Sequence, residues 1–192
     1  MDNELKRRNL LKALPLTAAS LVLAAAETSA QQRQVEAGKI LVAYYSRTGN
    51  TAVIARQIRR AMDATLFEIK TETPYPEDYQ ATVEQARRET QSQYLLPLGH
   101  FVADIDRYDR VYLGMPIWGM TAPPVIRSFL RAHDLSGKAV IPFITHGGYG
   151  LGNCMDVLHA HMPDTDLHSP FAMEADQERR TLNRVSDWLT EN

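Results

Sequence analysis

Short apolar runs alternate with amphipathic stretches along this chain, and that alternation restricts the folds open to it. The strand-like stretches cover residues 40–45, 64–70, 110–113, 139–145 and 166–169. Helix-like periodicity falls at 51–62, 79–92, 125–132, 153–161 and 177–190. Strands joined through helices connect in parallel by right-handed crossovers, and a parallel sheet must be covered on both faces. The pattern therefore predicts a doubly wound α/β fold, a five-stranded parallel sheet with helices on both faces. A chain of 192 residues with 44% hydrophobic content is long enough to bury one such core.

The first apolar run ends in Ser46-Arg47-Thr48-Gly49-Asn50-Thr51 and then opens a helix. A turn of this kind presents several backbone N–H groups to one anion, with the positive end of the helix dipole behind them. The hydroxyls of Ser46, Thr48 and Thr51 add donors, Gly49 tolerates a positive φ, and Arg47 either adds charge or points to solvent. The segment reads as a phosphate cradle. It also reads as an ordinary strand-turn-helix connection with an N-cap, since it matches neither the GxGxxG turn nor the lysine-bearing P-loop.

About sixty residues on, Leu113-Gly114-Met115-Pro116-Ile117-Trp118-Gly119-Met120 follows a second strand, and Thr145-His146-Gly147-Gly148-Tyr149-Gly150 follows a later one. Each of the three loops leaves the carboxyl end of a strand, where ligands bind in open α/β sheets. Taken in order, they resemble the flavodoxin family. The segment Pro74-Tyr75-Pro76-Glu77-Asp78-Tyr79 and the phrase Asp134-Leu135-Ser136-Gly137-Lys138 are similar to a branch in which P-I-W replaces the shorter loop of small electron carriers. The likeness runs over residues 39–189.

The resemblance implies an FMN site in which the first loop holds the phosphate and the other two flank the isoalloxazine ring. Its cofactor residues would be Ser46, Arg47, Thr48, Gly49, Asn50, Thr51, Pro116, Ile117, Trp118, Gly119, Met120, Thr145, His146, Gly147, Gly148 and Tyr149. Trp118 can stack on the ring or serve as a core anchor. Tyr149 covers the other face or stands as a loop tyrosine. Gly147 and Gly148 let backbone donors approach the pyrimidine edge, and His146 contacts that edge or satisfies a loop carbonyl. The resemblance also makes the Gly119 carbonyl the acceptor for the reduced flavin N5. Where the family commonly carries an acidic residue, this chain has Met120, which predicts a smaller penalty on full reduction. No residue is assigned as acid, base or nucleophile, because a flavin carries its own chemistry. The spacing of His133, His159, His161 and His168 predicts no metal site.

At the N-terminus, Lys6-Arg7-Arg8-Asn9-Leu10-Leu11-Lys12 precedes an apolar stretch at 13–26 and then Thr28-Ser29-Ala30. A basic region, a short apolar region and a small-residue site predict a signal peptide over 1–30, followed by a polar linker at 31–38 and the domain at 39–192. The arginine pair resembles a twin-arginine export signal, a route that carries folded, cofactor-loaded cargo; the expected location is the periplasm. A Sec signal and an amphipathic arm are the other readings. The apolar stretch is too short to span a bilayer, and no membrane anchor is expected. Removing those residues takes four basic and three acidic side chains from a net charge of −2, so no steering toward nucleic acid is expected. The single cysteine, Cys154, excludes an internal disulfide and reads as a small apolar residue on a helix.

These features point to an exported FMN flavoprotein exchanging electrons with a redox partner protein or a small quinone-like acceptor. Two alternatives stand beside it: an NAD(P)H- or quinone-dependent oxidoreductase, and a flavin-free module of the same fold serving as an interaction protein.

Overall fold

The structure is a computed structural model and describes residues 39–175 and 178–191. The proposed signal peptide and linker lie outside the described residues. Within them the order is β1 (Ile40–Tyr44), α1 (Asn50–Met62), β2 (Thr65–Glu68), α2 (Tyr79–Gln91), β3 (Arg110–Pro116), α3 (Pro124–Ala132), β4 (Ala139–His146), α4 (Cys154–His161), β5 (Asp166–Leu167), β6 (Phe171–Glu174) and α5 (Glu178–Glu191). A single 3-10 turn at Ile105–Arg107 precedes β3.

All strand pairs are parallel, in the spatial order β2-β1-β3-β4-β5, with β6 also on β4. The doubly wound α/β expectation holds, with one change in strand count. The strand expected at 166–169 is only β5, which pairs with Ala139 and Val140, and an unexpected sixth strand, β6, pairs with residues from Phe143 to His146. Between them stands Pro170, which has no N–H to give to a ladder. His168 donates its N–H to the Val140 carbonyl at 2.9 Å before pairing stops.

Strand alternation sorts the core. Leu41, Ala43 and Tyr45 pack on one face with Val111, Leu113, Met115 and the apolar sides of α3 and α4. Val42 and Tyr44 pack on the other face with Ile54 and Ile58 of α1, Phe143, and Val185 and Leu189 of α5. Gly114 is required on this second face, because a Cβ there would stand 2.1 Å from the Phe143 ring. Helix α3 begins with Pro124 inside its first turn, where a missing N–H costs nothing. Cys154 is buried, with its Sγ 3.6 Å from the Met115 sulfur, and burial pushes its thiol up to about 12. Among the described residues no helix is long and apolar enough to cross a membrane.

Candidate functional site

The loops after β1, β3 and β4 meet around a cleft of about 580 Å³ at the carboxyl edge of the sheet. The order β2-β1-β3 places the strand-order reversal at β1, the position at which such sheets bind ligands. The cleft volume lies within the range of small-molecule sites.

At the β1 end, Ser46 Oγ accepts the N–H groups of Gly49 (3.2 Å) and Ala52 (3.3 Å) and so closes the turn onto the head of α1. Gly49, with φ +94°, lets the backbone make that turn. Among the described residues the N–H groups of Thr48, Asn50 and Thr51 have no protein acceptor. Unspent donors at a helix head form an anion site. Thr51 is 1% exposed, and its hydroxyl shares a 2.8 Å hydrogen bond with the Thr145 hydroxyl, which ties the turn to β4. Arg47 leans away along the rim: its guanidinium donates to the Glu77 carbonyl at 2.7 Å and lies 5.8 Å from the Tyr79 ring centroid.

At the β3 end, Trp118 and Thr121 exchange backbone hydrogen bonds of 3.0 and 3.1 Å around Gly119 and Met120, whose φ angles are +55° and +65°. Positive φ at both central residues is the mark of a type I′ turn. Met120 is held in this sparsely populated conformation by Asn153, whose N–H donates to its carbonyl at 3.0 Å. Trp118 lines the cleft, and behind it stand Tyr45 and Tyr75, with ring centroids at 5.4 and 5.0 Å and near-perpendicular planes. Burial raises both tyrosine pKa values; for Tyr75 the hydrogen bond to Glu89 adds to the rise.

At the β4 end, Gly148 donates its N–H to His146 Nδ1 at 3.2 Å. In neutral His146 the proton then sits on Nε2, a donor in a residue that lines the cleft. Thr145 and Gly147 line the same wall.

The three loops thus come together as the spacing predicts. Of the residues singled out by sequence, all line the cleft except Gly49, Met120, Gly148 and Tyr149. Gly49 shapes the turn, Gly148 orients His146, Met120 faces outward on the rim, and Tyr149 is 84% exposed. A further wall escaped the sequence reading. Helix α2 lines the cleft through Tyr79, Thr82, Val83, Ala86, Arg87, Thr90 and Gln91, and Thr121 and Ala175 complete it. The signal was present as an i, i+3, i+4, i+7 spacing, but its residues are small or polar and read as an ordinary helix side. Among the described residues no group of three His, Cys, Asp or Glu side chains could hold a metal ion.

A flavodoxin family model matches residues 39–192. The chain belongs to the flavodoxin family. Solved structures agree. A protein described as a flavoprotein from Bacteroides eggerthii is 31% identical, with a TM-score of 0.69, over 79% of this chain and 96% of its own. Another so described, from Bacteroides uniformis, is 29% identical, with a TM-score of 0.69, over 78% and 98%. A flavoprotein from Lactobacillus acidophilus, solved in complex with FMN, has the same fold at 22% identity, with a TM-score of 0.64 over 76% and 99%. No curated protein matches the chain. Within this flavodoxin, the P-I-W loop is followed directly by the Gly119-Met120 turn, with no acidic residue at its tip.

Proposed function

We propose that this flavodoxin binds FMN in the β1-β3-β4 cleft and serves in electron transfer outside the cytoplasm, exported by the twin-arginine machinery. The observation that carries the reading is the set of unspent N–H donors of Thr48, Asn50 and Thr51 at the head of α1, three residues that line the cleft together with Trp118. The donor set fits a phosphate: backbone N–H groups at a helix head, with the Ser46 hydroxyl proton still available. The rest of the cleft fits the ring of a mononucleotide, with Trp118 as an aromatic wall and His146 Nε2–H as a donor for a polar edge. FMN, when bound, supplies the electron-carrying chemistry. The chain's own part is to hold the phosphate, orient the ring beside Trp118 and leave one edge open to a partner protein or quinone-like acceptor.

Fluorescence titration of apo-protein with FMN and with riboflavin tests this. Hydrogen bonds to a charged group contribute about 1.5 kcal/mol or more each, so riboflavin should bind at least about a hundredfold more weakly than FMN. Equal affinity for the two, or no quenching by either, overturns the reading.

The α2 wall favours a second reading, an NAD(P)H- or quinone-dependent oxidoreductase, because a small-molecule substrate needs a protein wall beside the cofactor loops and α2 supplies one. Stopped-flow mixing with NADPH separates the two: reduction within seconds marks an enzyme, and negligible reduction marks a carrier.

A further inference from the structure

Helix α2 is held at its two ends by arginines that donate to backbone carbonyls. At its C-terminal end Arg127, a buried residue of α3, donates to the Glu89 carbonyl at 3.0 Å. At its head the donor is Arg47 of the β1–α1 turn. Its guanidinium reaches the Glu77 carbonyl at 2.7 Å and lies 5.8 Å from the ring centroid of Tyr79, the first residue of the helix. Between those two contacts stands Asp78, the N-cap, whose carboxylate accepts the Ala81 N–H at 2.8 Å. Arg47 thus grips the point at which α2 begins. Thr82, Ala86 and Glu89 are buried, whereas Tyr79 is 64% exposed, so packing fixes the helix from Thr82 onward and leaves its first turn to polar ties. A guanidinium that turned from α2 to a phosphate on the α1 head would give up both contacts for an exposed ion pair, whose gain solvent screens. That head already offers the N–H groups of Thr48, Asn50 and Thr51 and the positive end of its dipole.

We infer that Arg47 is a positioning residue, which clasps the head of α2 to the β1–α1 turn and so places the α2 wall of the cleft, instead of pairing with the phosphate. This rests on the FMN reading of the cleft and gives Arg47 a defined part in it. The consequence is one of selectivity. A cation that pairs with the phosphate favours FMN over riboflavin, whereas a clasp that places a wall supports both ligands alike.

The test is fluorescence titration of Arg47→Met with FMN and with riboflavin, repeated in a Tyr79→Leu background, with circular dichroism to check that each variant is folded. The expected result is that Arg47→Met weakens both flavins by the same factor, about fivefold, the order of one exposed hydrogen bond, and keeps the preference for FMN. In the Tyr79→Leu background the factor should be smaller, because part of the clasp is already gone. A general loss of stability leaves the affinity of the folded protein unchanged and produces no such coupling. A larger loss for FMN than for riboflavin overturns the inference and makes Arg47 a phosphate ligand. Unchanged affinity for both flavins, or the same factor in both backgrounds, also overturns it. Each of these leaves the FMN reading intact, whereas a wild-type protein that takes up neither flavin removes both.

Discussion

The Tyr75 hydroxyl donates to Oε2 of Glu89 at 2.6 Å, and the same tyrosine ring stands 5.0 Å from Trp118, so a buried carboxylate sets the position of the cleft's aromatic wall. Glu89 is 8% exposed. Its other oxygen accepts from Gln85 Nε2 at 2.8 Å, and its backbone carbonyl accepts from Arg127 at 3.0 Å. Tyr75→Phe keeps the ring but leaves the carboxylate short of a donor, at a cost of about 1–3 kcal/mol. Urea unfolding should show that loss. FMN affinity should fall less in Tyr75→Phe than in Tyr75→Leu, which also removes the edge contact to Trp118. Equal affinities in the two variants would mean that the ring does not position the wall.

A second link joins the β1–α1 turn to β4 on another side of the cleft. Thr51 and Thr145 are separated by 94 positions, yet their hydroxyls meet at 2.8 Å with both side chains buried. Either single change to valine strands one buried hydroxyl and should destabilise by about 1–3 kcal/mol. The double change, Thr51→Val with Thr145→Val, should cost less than the sum of the two, because no polar group is left alone. A double-mutant cycle by urea unfolding reads the difference, expected at about 1 kcal/mol. An additive cycle would mean that the hydroxyls act separately.

Both relationships mark where sequence reading stops. Strands β1 to β4 were legible because each is a short, mostly apolar run closed by a turn, and the β1–α1 turn because small hydroxyl residues follow a strand and open a helix. The Thr51–Thr145 contact was not, since nothing local to either threonine specifies a partner on another strand. The α2 wall was hidden by its small residues: Thr82, Ala86 and Thr90 let the helix approach the cleft but carry no chemical motif. Strand β6 was missed because Phe171 to Glu174 is short and follows Pro170, a residue that argues against strand continuation. The turn at Trp118 was unpredictable for a different reason. A type I′ turn calls for Asn or Gly, and Met120 takes a left-handed conformation that only its tertiary partners enforce.

Those partners make a test of the turn possible. Gly152 has φ +54°, and a Cβ there would stand 1.9 Å from the Met120 carbonyl oxygen, the atom that accepts from Asn153. Gly152→Ala should therefore cost about 1–2 kcal/mol for the left-handed backbone alone and displace Met120 and Gly119 in addition. The expected outcome is a lower urea midpoint together with weaker FMN binding, although Gly152 itself does not line the cleft. Unchanged FMN affinity in a folded Gly152→Ala protein would detach the turn from cofactor binding.

His133 links stability to pH. Its ring lies buried, 4.3 Å from Phe129 between centroids, with Nδ1 2.9 Å from the Phe129 carbonyl and Nε2 3.0 Å from the Val102 N–H. That pairing requires the neutral ring with its proton on Nδ1, since Nε2 must accept. Burial holds the pKa below the ordinary histidine value, and the Phe129 hydrogen bond only partly opposes it. The unfolded chain therefore takes up a proton near pH ~6.5 that the folded protein refuses. The sign follows: the stability that His133 supplies is complete above that pH and is lost as pH falls through it toward the folded value. His161 is lowered as well, by burial and by Arg127 and Arg131, so the comparison belongs in a His161→Asn background. There the urea midpoint should drop between pH 7.5 and 5.5, and the drop should shrink in His133→Gln. Long-range nitrogen–proton NMR should show His133 titrating below the ordinary histidine value, with its neutral form protonated at Nδ1; titration at or above that value would refute the assignment.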